Sequence, residues 1–219
     1  MGQQVRHPDL LQLYHEYLAG PNSARFIAGA AKRYTPETLA RLTRHPTVDV
    51  RRAAVLAISL LGDFRCNAAV GATLRDDDNG VRKLAETGIR WLWRRDGDVS
   101  HQRALEVIVR LNHDGAGEEA EHRASQLIEE LPSFAEAWNQ RAVARFMQGD
   151  HRGAAADCRE AIQRNPYHFA AAVGLAQCQI ELGQDRSALE AFRHAIQLNP
   201  ELKQVRACIK YLEGVFEDE

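Results

Sequence analysis

Residues 135–168, AEAWNQRAVARFMQGDHRGAAADCREAIQRNPYH, and residues 169–202, FAAAVGLAQCQIELGQDRSALEAFRHAIQLNPEL, repeat one frame of small and apolar positions. Gly149/Gly183, Ala154/Ala188, Cys158/Phe192, Ala161/Ala195 and Asn165/Asn199 fall in register, and Pro132, Pro166 and Pro200 stand 34 residues apart. Spacing of this length marks an internal repeat. Within each copy the apolar residues recur at three- and four-residue steps, so both halves of the copy read as helices. Gly149 and Gly183 end the first of them, where a left-handed residue carries little strain. No stretch of the chain alternates apolar and polar residues long enough to predict a strand, so the expected class is all-α.

The two copies resemble tetratricopeptide repeats. That resemblance implies helix pairs that cannot bury their apolar face alone and therefore stack, here into a right-handed α-solenoid of helical hairpins with an open concave groove. It also implies recognition of another chain rather than catalysis. The preceding segment, HQRALEVIVRLNHDGAGEEAEHRASQLIEELPSF (101–134), keeps Ala120, Ala124, Leu127 and Pro132 in frame. Its first helix lacks the aromatic and small-residue signature, so it reads as a degenerate copy.

A second repeat precedes these. VDVRRAAVLAISLLGD and NGVRKLAETGIRWLWRR align Val50/Val81, Arg51/Arg82, Ala54/Ala85, Ile58/Ile89 and Leu61/Leu92 at a spacing of 31. Each follows a polar turn, HPTVDVR or RDDDNGVR, and the pattern looks like short HEAT repeats. Asp49 and Asp77 are expected at or near helix N-termini, where carboxylates satisfy free N–H groups, with Val50 and Val81 facing inward. Arg51 and Arg82 are placed to bridge neighbouring turns.

The expected organisation is 1–35 as N-terminal capping helices, 36–98 as HEAT-like repeats and 99–202 as tetratricopeptide-like repeats (101–134, 135–168, 169–202). Residues 203–219 then form a C-terminal capping helix and acidic tail, with the boundary between halves near Asp96–Ser100 and the whole continuous as one solenoid. Helices are expected from 8–19 to 201–216, including one over 64–75. Leu10, Leu13, Tyr14, Tyr17 and Leu18 make the apolar stripe of the first, and Leu202, Val205, Ile209, Leu212 and Phe216 that of the last.

In the resemblance, ligands lie against the first helix of each pair. Carried over, this gives a protein-binding groove of Leu105, Val109, Asn139, Val143, Phe146, Val173, Gln177 and Ile180, apolar at its centre and suited to an amphipathic helix or apolar peptide. The competing occupants are the C-terminal helix and a second copy of the chain, as a homodimer. Some relatives hold a terminal carboxylate with Lys, Asn and Arg side chains. Here Leu105, Val109, Ala170 and Gly174 occupy those places, and only Gln140 lies near an amide position. Arg141 and Arg145 are expected on a solvated ionic face, within reach of Glu136 or Asp157.

The 219 residues carry a net charge of -2, with 15 basic against 11 acidic residues before position 100 and 13 against 19 after it. A surplus of that size is small for a nucleic-acid binder, which must neutralise several phosphates along one face. Among 28 basic residues only Lys32, Lys83, Lys203 and Lys210 are lysines, a bias suggesting a GC-rich, bacterial genome. Cys66, Cys158, Cys178 and Cys208 show no metal-binding spacing and read as reduced thiols. The N-terminus reads as neither a signal peptide nor a span, Arg6 breaks the myristoylation pattern begun by Gly2, and the expected location is cytoplasmic with no membrane partner.

No Walker loop, GxGxxG, GxSxG or HExxH occurs, and none of the nine histidines stands three to five residues from another. His113, Asp114, Glu118 and His122 lack zinc spacing. The reading is a non-enzyme without cofactor. The alternative is a nucleic-acid-associated helical-repeat protein or enzyme, as in the HEAT-like phycobilin lyases and alkylated-base glycosylases. It would use Arg51, Arg52, Arg82, Arg90, Arg94 and Arg95, with Trp91 or Trp93 stacking on a base. These two tryptophans cannot share a helical face, so one should be buried.

Overall fold

The computed structural model describes residues 9–217, in which thirteen α-helices and one short 3-10 helix account for the regular structure, with no strand among the described residues. Gly2, Arg6 and the first position of the expected 8–19 helix lie outside those residues, as do Asp218 and Glu219 of the acidic tail. The chain divides into two units between Trp93 and Arg94, a few residues before the expected turn.

The first unit comprises α1 (Asp9–Ala19), α2 (Ser23–Arg33), α3 (Pro36–Leu42), α4 (Val48–Leu61), the 3-10 helix Phe64–Cys66, α5 (Asn67–Thr73) and α6 (Asn79–Trp93). The single helix expected over 64–75 is thus broken, Asp63 capping the 3-10 turn by accepting from Arg65 N. α4 packs along α6, and Val50, Ala54, Ile58, Val81, Ala85, Ile89 and Leu92 are fully buried in the core. Gly88 sets the crossing distance. A methyl group there would stand 1.7 Å from Ser59 Oγ, so only glycine lets α6 approach α4 this closely.

The 31-residue register reappears in the hydrogen bonds. Arg51 Nη1 donates to the carbonyls of His45 and Pro46, and Arg82 Nη1 donates to those of Asp76 and Asp77. Each arginine therefore ties down the turn before its own helix. Arg51 also makes the expected bridge to the next turn, donating through Nε and Nη2 to the two Asp76 oxygens at 2.8 Å. Capping of α6 falls to Asp78, whose Oδ1 accepts from Val81 N at 2.8 Å, rather than to Asp77. Asp49 pairs with Arg52 inside α4, and the α4 cap residue Thr47 makes no side-chain cap bond.

The second unit comprises α7 (Val99–His113), α8 (Gly117–Glu130), α9 (Ala135–Met147), α10 (His151–Arg164), α11 (Phe169–Glu181), α12 (Asp185–Leu198) and α13 (Lys203–Glu217). Gly115, Gly149 and Gly183 have φ of 77°, 83° and 67° and close the first helix of each pair. At these three turns Ala116 N donates to Leu111 O, Asp150 N to Arg145 O and Gln184 N to Gln179 O, at 2.9, 2.9 and 2.8 Å. The C-terminal carbonyls of all three helices are thus satisfied by one motif. The segment 101–134 therefore closes its helix pair in the same way as the two later segments.

Stacking follows from the small residues. Ala154, Ala161, Ala188 and Ala195 are fully buried, letting α10 and α12 lie close against α9 and α11. α7 packs on α9 and α9 on α11, so the first helices of successive pairs line one side of the stack. α13 covers the last pair, with Val205 and Leu212 buried against Leu189 and Phe192 and with Leu202, Ile209 and Phe216 packed around them.

Candidate functional site

α9 presents Asn139, Val143, Phe146 and Met147 to the open side of the stack, and α11 presents Ala170, Val173, Gly174, Gln177 and Ile180 one layer on. Two adjoining cavities result. The smaller, about 240 Å³, lies between α9 and α11 over Cys158 and Cys178 and includes Asn139, Val143 and Phe146. The larger, about 560 Å³, runs from Phe146, Val173, Gln177 and Ile180 to Cys208 and Tyr211 of α13. Phe146 and Gln177 belong to both.

Six of the eight residues expected in a groove therefore meet here, and two stand elsewhere. Leu105 is 1% exposed and packs with Ile108, Leu127 and Phe134 in the core of α7, α8 and α9, and Val109 lies half-buried against the same cluster. The apolar stripe of α7 is consumed by its own pair, which moves the open surface toward α13. Tyr211, 72% exposed, and Cys208 line it from a helix that sequence reasoning treated only as a cover. They occupy the flank of α13 beside the packed stripe, and Val205 and Leu212 line the same cavity. The steps of four and three residues from Gln204 to Cys208 to Tyr211 were the available signal.

Val143 and Ile180 are 39% and 38% exposed, so the floor of this surface is apolar and open to water. Polar groups sit at its edges. Asn139 is buried, with Nδ2 donating to Glu136 Oε1 at 3.3 Å, whereas Gln177 is exposed.

Glu136 and Asn112, also on the faces of first helices, are taken up inside the stack. Asn112 Nδ2 donates to Gln140 O and Oε1 at 2.9 and 3.0 Å, tying α7 to α9. Glu136 accepts from Gln140 Nε2 at 2.7 Å and lies 2.9 Å from His168 Nε2. Burial pushes its carboxyl up, but the hydrogen bonds from His168 and Gln140 outweigh that and hold it below the usual glutamate range.

Arg141 and Arg145 depart from the solvated ionic face expected of them. Asp157, 2% exposed on α10, accepts from Arg141 Nε and Nη2 at 2.9 and 2.8 Å and from Arg145 Nη1 at 3.0 Å. Arg145 Nε reaches Glu121 Oε1 at 2.8 Å, and that bond holds the Glu121 carboxyl below the ordinary range. This network joins α8, α9 and α10. Arg141 and Arg164 also lie over the Trp138 ring, 4.8 and 4.4 Å from its centre, so their charges serve packing.

In the first unit, Arg52 donates to both Asp78 oxygens at 2.9 and 2.7 Å beside the Arg51–Asp76 pair. Three of the six arginines of the nucleic-acid alternative are thereby engaged in holding turns. Trp93 is buried, with Nε1 donating to Asn67 Oδ1 at 2.9 Å, and Trp91 is exposed. Among the described residues no group of three or more His, Cys, Asp or Glu side chains is arranged to hold a metal ion, and no helix is long and apolar enough to cross a membrane.

Tetratricopeptide repeat family models match residues 115–169 and 145–208. A TPR repeat-containing protein of Rhizobium etli is 25% identical over 130 residues, covering 58% of this chain and 61% of that protein. WD and tetratricopeptide repeats protein 1 of Mus musculus is 37% identical over 87 residues, covering 38% of this chain and 13% of that protein. The chain thus spans less than two thirds of either relative. Among solved structures, the TPR2B domain of yeast Sti1 in its pHsp70 complex matches with a TM-score of 0.51 at 20% identity, over 53% of this chain and 98% of that one. The TPR2AB domain of yeast Sti1 in its pHSP90 complex matches with a TM-score of 0.50 at 18% identity, over 94% of this chain and 86% of that one. The solved structures concern the fold alone, and the family models, with the glycine-closed hairpins, support tetratricopeptide repeats over residues 115–208.

Proposed function

We propose that the second unit is a non-catalytic, cytosolic adaptor that binds a peptide or helix with an apolar face along Val143, Phe146, Val173 and Ile180. One observation carries this reading: the two cavities join at Phe146 and Gln177 into an apolar trough that α13 borders without filling. A ligand there would bury the Phe146 ring and the exposed flanks of Val143 and Ile180, while Asn139 and Gln177 would fix its register by hydrogen bonds. The yeast Sti1 domains, whose complexes are with pHsp70 and pHSP90, supply the precedent for ligand binding on this fold. A ligand held by its terminal carboxylate is not expected here, because Ala170 and Gly174 offer it no cation and Leu105 and Val109 lie in or against the core.

The first unit is read as HEAT-like, on the 31-residue register shared by Arg51 and Arg82. Its arginine–aspartate pairs weigh against nucleic-acid binding, since a guanidinium held by two carboxylate oxygens has little charge left for a phosphate.

The test is the double variant Phe146→Glu, Val173→Glu. Two carboxylates buried beneath a ligand would cost several kcal/mol, about 3 to 5 for an unpaired charge, yet remain hydrated in the free protein. Affinity capture compared between wild type and variant should lose its specific partners while the helical circular dichroism is kept. Retained capture by the folded variant would move the site to another face. Loss of self-association in the variant would identify a second copy of the chain as the occupant.

A further inference from the structure

We infer that Cys158 on α10 and Cys178 on α11 are an oxidisable thiol pair that closes to a disulfide when a small peroxide enters the cavity between α9 and α11.

The pair is placed by a glycine. Cys158 Sγ lies 3.2 Å from where a Gly174 side-chain carbon would stand, so the absence of that carbon lets the sulfur rest against the α11 backbone. Side chains on a helix lean toward its N-terminus. Cys178, one turn after Gly174, therefore leans back toward the level at which the Cys158 sulfur lies. Cys158 and Cys178 accordingly pack in one buried cluster with Ala142, Ala154 and Ala155, and with Gly174 they line the same 240 Å³ cavity. The two thiols are unlike. The neighbouring Cys158 holds the Cys178 thiol below its ordinary range, while Cys178 and burial push Cys158 up.

Buried cysteines are ordinarily inert because no oxidant reaches them and burial disfavours the thiolate. Cys66 is of this kind, raised chiefly by burial. Cys178, at 1% exposed against 4% for Cys66, is no less buried, but it lines a cavity bordered by the exposed Val143 and Gln177 and large enough for a peroxide, with Cys158 in the same cluster.

The chemistry is a two-step, two-electron oxidation. The Cys178 thiolate attacks a peroxide oxygen, forming an S–O bond and breaking the O–O bond; with hydrogen peroxide the leaving hydroxide takes up the proton that Cys178 released. Cys158 sulfur then attacks the sulfenic sulfur, the S–O bond breaks, and water leaves with the Cys158 proton. Two thiols lose two electrons and one peroxide becomes two waters.

The experiment uses the full chain with Cys208→Ser, which removes the exposed thiol and keeps Cys66 as an internal control. After hydrogen peroxide, denaturing alkylation should find Cys66 alone, peptide mapping should show a Cys158–Cys178 link, and dithiothreitol should restore both thiols. Adding Cys158→Ser should leave Cys178 as a sulfenic acid captured by dimedone, whereas adding Cys178→Ser should leave Cys158 unmodified. Survival of both thiols at peroxide levels that oxidise small-molecule thiols would overturn the inference, as would oxidation of Cys66 at the same rate as the pair.

Discussion

The ring of His168, at the start of α11, stands 2.9 Å through Nε2 from Glu136 Oε2 on α9, while its Nδ1 accepts the backbone N–H of Ala171 at 3.0 Å. The second bond fixes the tautomer. With Nδ1 an acceptor, the ring proton is on Nε2 and is donated to the carboxylate, so one side chain caps a helix and joins consecutive repeats.

The two partners are predicted to respond unequally to substitution. His168→Ala leaves a buried carboxylate with only its amide neighbours and removes a helix cap, and should cost about 3 kcal/mol or more. Glu136→Gln keeps an acceptor for the imidazole and should cost about 1 kcal/mol. Urea unfolding of both variants measures the difference. Equal losses would mean that the carboxylate, rather than the bond, sets the stability of this contact.

This pair was not legible in the sequence, and its neighbours show why. His168 stands in the register of Phe134 and Leu202, so the repeat frame marks the position as one to be filled without saying that a polar contact fills it. Gly149 and Gly183 were legible because a left-handed turn restricts residue type, and Gly115 obeys the same rule. Leu105 and Val109 were assigned to the groove because an apolar helical stripe looks the same whether a partner or the next helix covers it. Arg141 and Arg145, which pair with the buried Asp157, read as a solvated ionic face because spacing along one helix does not reveal burial against another.

Ala154 is fully buried among Ala142, Cys158 and Cys178 where α10 meets its neighbours. Ala154→Leu forces three further heavy atoms into that contact, which should lower stability by about 1 to 3 kcal/mol. A thermal melt checks it. Ala156→Leu, on the exposed face of α10, serves as the control and should leave the midpoint nearly unchanged.

Removing α13 by ending the chain after Pro200 uncovers Leu189 and Phe192, which Val205 and Leu212 now bury. Apolar repeat faces exposed in this way associate. Light scattering should show aggregation of the shortened chain at concentrations where the full chain is dispersed. A dispersed product with an unaltered melt would show that α12 can close the stack itself.

In the first unit, Arg52 donates to both Asp78 oxygens and holds that carboxyl down to about 2, helped by the backbone N–H of Val81. An aspartate in the unfolded chain titrates near ~4. A carboxylate whose folded value lies below its unfolded one stabilises the fold fully above the unfolded value and loses that contribution as pH falls through the folded value. The window is therefore from about 4 down to about 2. Asp76 is lowered in the same direction, its bonds from Arg51 and the Asp78 N–H outweighing its burial. Asp78→Asn keeps an oxygen for the helix cap but not the paired charge, and should cost about 1 to 2 kcal/mol at neutral pH. The difference in unfolding free energy between wild type and Asp78→Asn should shrink steadily across that window. A difference that stays constant down to pH ~2 would show that the carboxylate acts on the α6 cap alone, without the arginine.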